Sequence, residues 1–357
     1  MDVSAEDTGV RCRASWTPPA VIAVIAALLL LFPWGAIAAT ATAPTTIAPL
    51  QGDTAIEAYG GVEAWSDYDA AHRSWHVVVR RGEEISEPPI PTAEKAIEVD
   101  VGPGPSGSLM LAYTECASSC QVVVSAVNGS HRKVIPGSRG ASHPTIWRGH
   151  VAWVSGRTKV MSSLLNGSGR RALGGAPHRK CYAAPSGRRR LLCVAPQRPI
   201  VEALALYRGQ LALIDTFDLS DGFGSNGTTT EVRTEAITGG PQRLVALLTV
   251  GEGDEQWVGP SWSEGKLYFY EDEDGTCGCT AVYRFDPARN SYARAHASAY
   301  LTGFSMIDNQ AYEVTAPGDP RNGGNTCGEY ENTPCTVLLS APFAFKPVSS
   351  KSLVYTP

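Results

Sequence analysis

Charged side chains are scarce in this chain of 357 residues: Lys, Arg, Asp and Glu make up 18% of the sequence, whereas apolar residues make up 43%. A disordered chain shows the opposite balance, so the composition predicts a folded core. The chain also lacks a low-complexity tract. Its 36 glycines and 25 prolines are spread evenly, which suits the turns between many short strands.

Motifs for catalysis and nucleotide binding are absent or stand in the wrong context. No Gly-x-Ser-x-Gly segment, the mark of many serine hydrolases, occurs. Residues 102–107 and 222–227 match Gly-x-Gly-x-x-Gly, but a strand and not a helix is predicted after each, and dinucleotide binding needs the helix. We therefore predict no cofactor, and the enzyme class stays open with the balance against catalysis.

A short alternating apolar run follows a glycine, or once an asparagine, at six places. The runs begin after Gly61, Gly107, Gly149, Gly209, Gly265 and Asn309. Their mean spacing is about 50 residues, the length of a β-propeller blade. Six such units leave no room for a second folded domain. The sequence predicts an all-β fold, a six-bladed propeller of four-stranded antiparallel sheets.

The N-terminus carries the long apolar run 20–32, which is uncharged and preceded by two arginines. Small residues follow it and fit a signal-peptidase site, although an uncleaved anchor across 20–39 fits as well. Either reading predicts export, with the protein secreted or attached at the outer face of the cytoplasmic membrane. The predicted parts are a signal peptide or membrane anchor (1–41), a linker (42–50), the propeller (51–347) and a tail (348–357).

Eight of the nine cysteines fall into close pairs. The pairs are Cys116 with Cys120, Cys181 with Cys193, Cys277 with Cys279, and Cys327 with Cys335. Local pairs in an exported chain indicate disulfides. None has the C-x2-C spacing that zinc sites favour, so no metal site is predicted. Residues two apart in an extended strand are too distant to bond, so Cys277 and Cys279 form a staple at a turn, a redox-active pair, or bonds to other cysteines.

Residues 260–269, Pro-Ser-Trp-Ser-Glu-Gly-Lys-Leu-Tyr-Phe, resemble the TolB-type, WD-like propeller repeat. Such units open with Pro-x-Trp-Ser, followed by Asp-Gly-Lys and an apolar strand. Residues 159–173 are similar to the second-strand, Asn-Gly turn and Arg-Arg-x-Leu ending of the same repeat. This chain has Arg148, Arg208 and Glu264 where the family has its aspartate. The resemblance implies a six-bladed propeller in an exported protein, commonly a scaffold for partner or ligand binding.

Basic residues are concentrated in the middle of the chain. Between His131 and Gln210 there are fifteen Lys and Arg residues and one acid, Glu202. A block of sequence becomes a sector of a propeller, because each blade contacts mainly its neighbours. We therefore expect a positive sector on blades three and four that binds an anionic ligand; a solvated face is the alternative. The candidate binding residues are Arg170, Arg171, Arg179, Lys180, Arg188, Arg189 and Arg190.

Two functions follow from these patterns. The first is an exported, non-catalytic scaffold that binds a protein partner or an anionic envelope component, as a monomer and without nucleic acid. The alternative is a hydrolase of a sugar or lactone with its active site in the central channel, where two carboxylates could act as acid and base. Sequence supplies no distances between carboxylates, so no catalytic residue is nominated.

Overall fold

Strands make up most of the part of the chain that the structure describes. The computed structural model describes residues 43–52, 54–174, 181–183, 191–193, 199–218, 228–250, 256–272, 281–297, 301–315 and 335–355. The predicted signal peptide or anchor lies outside these residues. Within them, no helix has the length and hydropathy needed to cross a bilayer, and a single-turn 3-10 helix spans Ser350–Leu353.

An N-terminal strand, β1 (Thr45–Leu50), precedes three blades of four antiparallel strands each. Blade one contains β2 (Ile56–Tyr59), β3 (Val62–Asp69), β4 (Ser74–Arg81) and β5 (Glu84–Ser86). Blade two contains β6 (Val99–Pro103), β7 (Leu109–Cys116), β8 (Cys120–Ala126) and β9 (Lys133–Val134). Blade three contains β10 (Ala141–Trp147), β11 (His150–Ser155), β12 (Lys159–Leu164) and β13 (Arg171–Leu173). A separate hairpin follows, made of β14 (Cys181–Ala183) and β15 (Leu191–Cys193).

Three further blades complete the ring, and two of them gain a fifth strand from the C-terminal region. Blade four contains β16 (Ile200–Tyr207), β17 (Gln210–Asp218), β18 (Thr228–Ala236), β19 (Arg243–Val250) and the parallel β28 (Val354–Tyr355). Blade five contains β20 (Gln256–Ser263), β21 (Lys266–Asp272), β22 (Ala281–Asp286), β23 (Ser291–His296) and β27 (Lys346–Val348). Blade six contains β24 (Leu301–Ile307), β25 (Gln310–Thr315) and β26 (Cys335–Leu339).

The ring closes in blade six, where β1 is added as the outermost strand. It pairs antiparallel with β26, which places Leu50 opposite Cys335 and Ala48 opposite Val337. The inner strands β2, β6, β10, β16, β20 and β24 contact their neighbours around the axis, β24 with β2 included. The prediction of a six-bladed propeller of antiparallel sheets is confirmed.

Segments from both ends of the described chain pair with strands of the blades. Residues 45–50, expected in a linker, form β1, and residues 354–355 of the expected tail form β28. The outer edges of β26 and β19 would otherwise expose unpaired backbone N–H and C=O groups. The two terminal strands form hydrogen bonds with the backbone groups of these edges. The local sequence does not indicate this pairing.

Each repeated glycine leads into a strand, as the sequence predicts, and the structure shows that this strand is the second of its blade. Four residues after Gly61 and Gly149 stand Trp65 and Trp153, both fully buried. Trp65 packs in a cluster with blade six, and Trp153 packs in a cluster with blade two. The apolar core therefore lies between neighbouring sheets. Truncating such a tryptophan to alanine typically costs about 3–5 kcal/mol.

The structure describes five of the eight cysteines that were expected to form disulfides. Cys116 and Cys120 form a disulfide at the end of the β7–β8 hairpin. Cys181 and Cys193 stand directly opposite each other in the backbone register of β14 and β15. Cys335 is buried and disulfide-bonded. Of the eight cysteines expected in disulfides, three lie outside the described residues, so their pairing stays a prediction: Cys277, Cys279 and Cys327.

Candidate functional site

A cavity of about 340 Å³, part of it open to solvent, lies where the six inner strands meet. One residue from each inner strand lines the cavity. The six residues lie at a similar height along the propeller axis, and each pairs with a residue near the start of the second strand of its own blade. We call these residues the axial ring: Glu57, Asp100, Thr145, Ala205, Ser261 and Ser305. The predicted channel therefore exists as a small polar cavity.

Side chains of the axial ring hold neighbouring blades together. Thr145 Oγ1 accepts a hydrogen bond from the Leu206 N–H at 3.0 Å, which links blade three to blade four. Ser261 Oγ accepts one from the Met306 N–H at 2.9 Å, which links blade five to blade six. Each is a buried bond from a side chain of one blade to the backbone of the next. Such bonds contribute about 1 kcal/mol each.

The same pattern links blade six to blade one and blade two to blade three. Ser305 Oγ accepts a hydrogen bond from the Ala58 N–H at 2.9 Å, from blade one to blade six. Asp100 Oδ2 accepts one from the Ile146 N–H at 2.7 Å. The Asp100 carboxyl also receives hydrogen bonds from the Thr145 hydroxyl and the backbone of Val101. Asp100 thus has a structural role as an inter-blade acceptor.

Glu57 and Asp100, the carboxyl pair, are the acidic members of the axial ring. Both lie deep within the ring and keep partial exposure, because they line the cavity. Burial raises the pKa of Asp100 to about 6. Burial, and then the negative charge of Asp100, raise the pKa of Glu57 well above its usual value, against a smaller lowering by the hydrogen bond from Ser305. The protonated form of the pair is therefore favoured well above the pH at which free carboxylic acids ionise.

Four aromatic side chains from blades one, three, four and five line the same cavity. We call them the aromatic cluster: Tyr59, Trp147, Tyr207 and Trp262. The ring centroids of Tyr59 and Trp147 lie 5.1 Å apart, those of Trp147 and Tyr207 4.4 Å, and those of Tyr207 and Trp262 6.0 Å. These are ordinary packing distances for aromatic pairs. The cluster therefore adds aromatic residues to a lining that also contains the carboxyl pair.

The inner strands of blades three and four end in tight turns that contain arginine. Arg148 follows Trp147 and Arg208 follows Tyr207, each directly before a glycine, with φ angles of 44° and 48°. Turns of this type favour Asn, Asp or Gly at both positions, and a left-handed conformation costs a larger side chain about 1 kcal/mol. Both side chains are exposed. We call Arg148 and Arg208 the turn arginines, and the face that carries the turns between inner and second strands the turn face.

The turn arginines have no carboxylate partner among the described residues, so their charge faces solvent. Within the described part of the chain, neither forms an ion pair, and the Arg208 guanidinium lies 5.2 Å from the centroid of the Tyr207 ring. Arg132, which belongs to the basic stretch of sequence but lies in blade two, is paired with Glu115. The accessible positive charge of the sector therefore includes the turn arginines.

Two of the seven predicted binding residues lie in the described part of the chain. Arg170 and Arg171 are exposed at the edge of blade three, and a guanidinium nitrogen of Arg171 donates a hydrogen bond to the Thr238 carbonyl of blade four. The other five lie outside the described residues: Arg179, Lys180, Arg188, Arg189 and Arg190. Their role in binding stays a prediction.

The sequence analysis missed the axial ring and the aromatic cluster, although a signal for part of the cluster is visible. Tyr59, Trp147 and Tyr207 each stand immediately before a two-residue turn that ends in glycine. An aromatic residue at that position in three blades predicts rings at the same level near the axis. The carboxyl pair leaves no such signal, because its members share a register and not a motif.

No protein-family model and no curated protein matches this chain. Solved structures show a distant likeness. The β-propeller domain of the Trilobed protease from Pyrococcus furiosus is 9% identical with a TM-score of 0.42, over 83% of this chain and 98% of that one. A Mycobacterium tuberculosis puromycin-hydrolyzing peptidase is 14% identical with a TM-score of 0.44, over 86% of this chain and 52% of that one. A chain of a nidogen/laminin complex is 11% identical with a TM-score of 0.43, over 80% and 97%.

The present chain thus spans about half the length of the peptidase. The neighbours include proteins named as a protease propeller and a peptidase, and their likeness concerns the fold alone.

Proposed function

We propose that this protein is an exported, non-catalytic propeller scaffold that binds an anionic partner or envelope component through the turn face of blades three and four. The observation that carries the proposal is the placement of the turn arginines. Each occupies a left-handed position where Asn or Gly would be relaxed. A residue retained at a strained, exposed position is a reason to ask what its side chain does. A guanidinium is suited to forked recognition of phosphate or carboxylate.

The wider charge pattern supports the same surface. Arg170 and Arg171 lie on blade three, beside the turn that follows β12. Because a propeller blade is an up-and-down meander, this turn opens on the same face as the turn arginines. Four arginines on one face, with few described acids between them, would attract an anion over a distance set by the ionic strength, about 8–10 Å at physiological salt.

The experiment changes the turns of blades three and four and uses the equivalent turn of blade five as the control. Arg148→Asn with Arg208→Asn removes two charges and relaxes both turns, so folding is preserved. Glu264→Asn relaxes the equivalent turn of blade five, where φ is 49°, and removes a negative charge there. Binding to anionic vesicles and to anionic wall fractions is measured across a salt series. We expect the double variant to bind at least tenfold more weakly at low salt, and Glu264→Asn to bind no more weakly than the wild type. Equal binding by the double variant and the wild type would reject the proposal.

Export and membership of the TolB-type repeat family belong to the same proposal. The N-terminal apolar run supports export, and the Cys116–Cys120 disulfide suits an oxidising compartment. The Pro-Ser-Trp-Ser segment of β20 supports the family. Recovery of the protein from the cytoplasm with free thiols at Cys116 and Cys120 would contradict export.

The carboxyl pair favours a second candidate, hydrolysis of a sugar or lactone at the axial cavity. Two acids with raised pKa values in one cavity are the chemistry that the alternative needs. Asp100, however, already accepts three hydrogen bonds, and two of them, from Ile146 and Thr145, link blade two to blade three. A panel of glycosides and lactones with the wild type and Glu57→Gln tests this candidate: turnover lost in Glu57→Gln supports a hydrolase, and no turnover by the wild type rejects it.

A further inference from the structure

We infer that the axial cavity binds a small organic cation, a protonated amine or a methylated ammonium group, between the carboxyl pair and the aromatic cluster. The cavity brings together two acids, three hydroxyl groups and four aromatic rings from different blades. Among the described residues that line it, none is Lys, Arg or His. The lining therefore combines acids with aromatic residues and lacks a described base, which is the combination that recognises organic cations in water.

Glu57 is the group with acceptor capacity to spare. Its described hydrogen bond comes from the Ser305 hydroxyl at 3.4 Å, whereas an ionised carboxylate can accept about four. Asp100 is largely satisfied by Ile146, Thr145 and Val101. A cationic head group would thus bond primarily to Glu57, and Asp100 would add charge at short range.

The aromatic cluster decides between an organic cation and a metal ion. A metal ion such as calcium takes six to eight oxygen ligands, and no group of three or more His, Cys, Asp or Glu that could hold a metal is present among the described residues. The cavity lining also includes the four aromatic residues Tyr59, Trp147, Tyr207 and Trp262. Aromatic rings attract an ammonium or methylated ammonium group, and such a group does not need a complete shell of oxygen ligands.

The volume of the cavity limits the ligand. The enclosed part of the cavity is small, so it can admit at most a head group of a few heavy atoms, such as the ammonium end of a longer amine whose chain extends to solvent. Methylammonium and tetramethylammonium are suitable probes. Tert-butanol is nearly as large as the second and carries no charge, so it separates charge recognition from apolar filling.

Binding also releases a proton. The titratable side chains that line the cavity are Glu57, Tyr59, Asp100 and Tyr207. When an ammonium ion enters beside a protonated Glu57, the carboxyl gives its proton to the buffer and the resulting carboxylate pairs with the cation. Affinity for the probe therefore increases as the pH rises through about 6, the pKa of Asp100, and beyond it.

The test is calorimetric titration of the purified protein with methylammonium, tetramethylammonium, calcium and tert-butanol. It is run at pH 5 and pH 8, and in two buffers of different ionisation enthalpy to count the released protons. We expect saturable binding of an ammonium probe at pH 8, at least tenfold weaker binding at pH 5, and none of tert-butanol. Glu57→Gln should fold normally, because the residue it replaces is neutral at acid pH. It should lose at least tenfold in affinity and release no proton.

Trp262→Leu tests the aromatic wall and should weaken tetramethylammonium binding severalfold. Glu264→Asn, at an exposed turn outside the cavity, is the matched control and should bind as the wild type does. Absence of saturable ammonium binding, binding unchanged in Glu57→Gln, or calcium binding in place of ammonium binding would each overturn the inference. None of these results tests the turn arginines. The proposed function is therefore tested independently of this inference.

Discussion

Asp100 on the inner strand of blade two accepts a hydrogen bond from the backbone N–H of Ile146 on the inner strand of blade three, at 2.7 Å. The corresponding residues Thr145, Ser261 and Ser305 make equivalent bonds to the next blade. This register position is polar in five of the six blades, and in four of them its side chain accepts a hydrogen bond from the next blade for one physical reason. The buried N–H of the neighbouring blade needs an acceptor, and an unsatisfied one costs about 1–3 kcal/mol.

Removal of one such acceptor should destabilise the whole ring. Ser261→Ala leaves the Met306 N–H without its partner, and we expect the free energy of unfolding to fall by about 1–3 kcal/mol. Chemical denaturation at pH 7 measures it. Ser106→Ala removes an exposed hydroxyl whose bond is to Ser108, and should change stability by less than about 0.5 kcal/mol. Equal effects of the two variants would show that the axial bonds do not hold the blades.

A second prediction concerns the closure between blades six and one. Arg80 Nη1 lies 3.3 Å from Glu63 Oε2, and the Tyr312 hydroxyl of blade six donates to the same buried carboxyl. Arg80→Met leaves the Glu63 charge buried without its cation, which should cost about 2–4 kcal/mol at pH 8. The loss should be smaller at pH 4, because Glu63 then takes a proton.

Arg81→Met is the matched control for this closure, since Arg81 is adjacent in sequence and exposed. It should leave stability within about 0.5 kcal/mol at both pH values. A deficit in Arg80→Met that is the same at pH 4 and pH 8 would indicate lost packing and not an uncompensated charge.

A third prediction concerns Glu313, which stands in β25 four residues after Asn309, where Trp65 and Trp153 stand in their blades. Its side chain is 4% exposed, and burial raises its pKa from 4.5 to about 7. The folded state therefore keeps a proton that the unfolded state releases between these pH values. As the pH rises from 4.5 to 7, this group lowers the stability of the fold, and above pH 7 the loss is complete.

Glu313→Gln removes the titration. The variant should match the wild type near pH 4 and exceed it at pH 8 by up to roughly 3 kcal/mol. Denaturation at the two pH values measures the difference. Other acids, including the carboxyl pair, titrate in the same direction, so the comparison is between variant and wild type at each pH. A variant less stable than the wild type at pH 8 would refute the assignment.

The architecture was predictable because its signal is local. Gly149 and Gly209 sit in left-handed turns, with φ of 88° and 78°, and the apolar alternation after each marks a second strand. The turn residues and the apolar alternation repeat six times, so both can be recognised in a single sequence. The closing strand β1 gives no such signal. Its partner, β26, is almost 290 residues away in the chain, and only the open edge of that strand selects it.

The axial site was not predictable for a similar reason. Glu57 and Asp100 are separated by more than 40 residues in sequence, and they meet because their strands share a level at the axis. No spacing rule links them. The positive sector was visible in the sequence, but its composition does not say which arginines are held in strained turns. Arg148 and Arg208 were noted as departures from the family aspartate, and their backbone angles identify them as candidates for binding.

The most direct test of the account is hydrogen–deuterium exchange of the protein with and without anionic vesicles. The account predicts protection at the turns of Arg148 and Arg208 and around Arg170, on blades three and four of the turn face. The turn of Glu264 in blade five should exchange equally in both samples. Protection at the opposite face, for example at the Cys116–Cys120 hairpin end, with none at the turn arginines, would contradict the proposed binding surface.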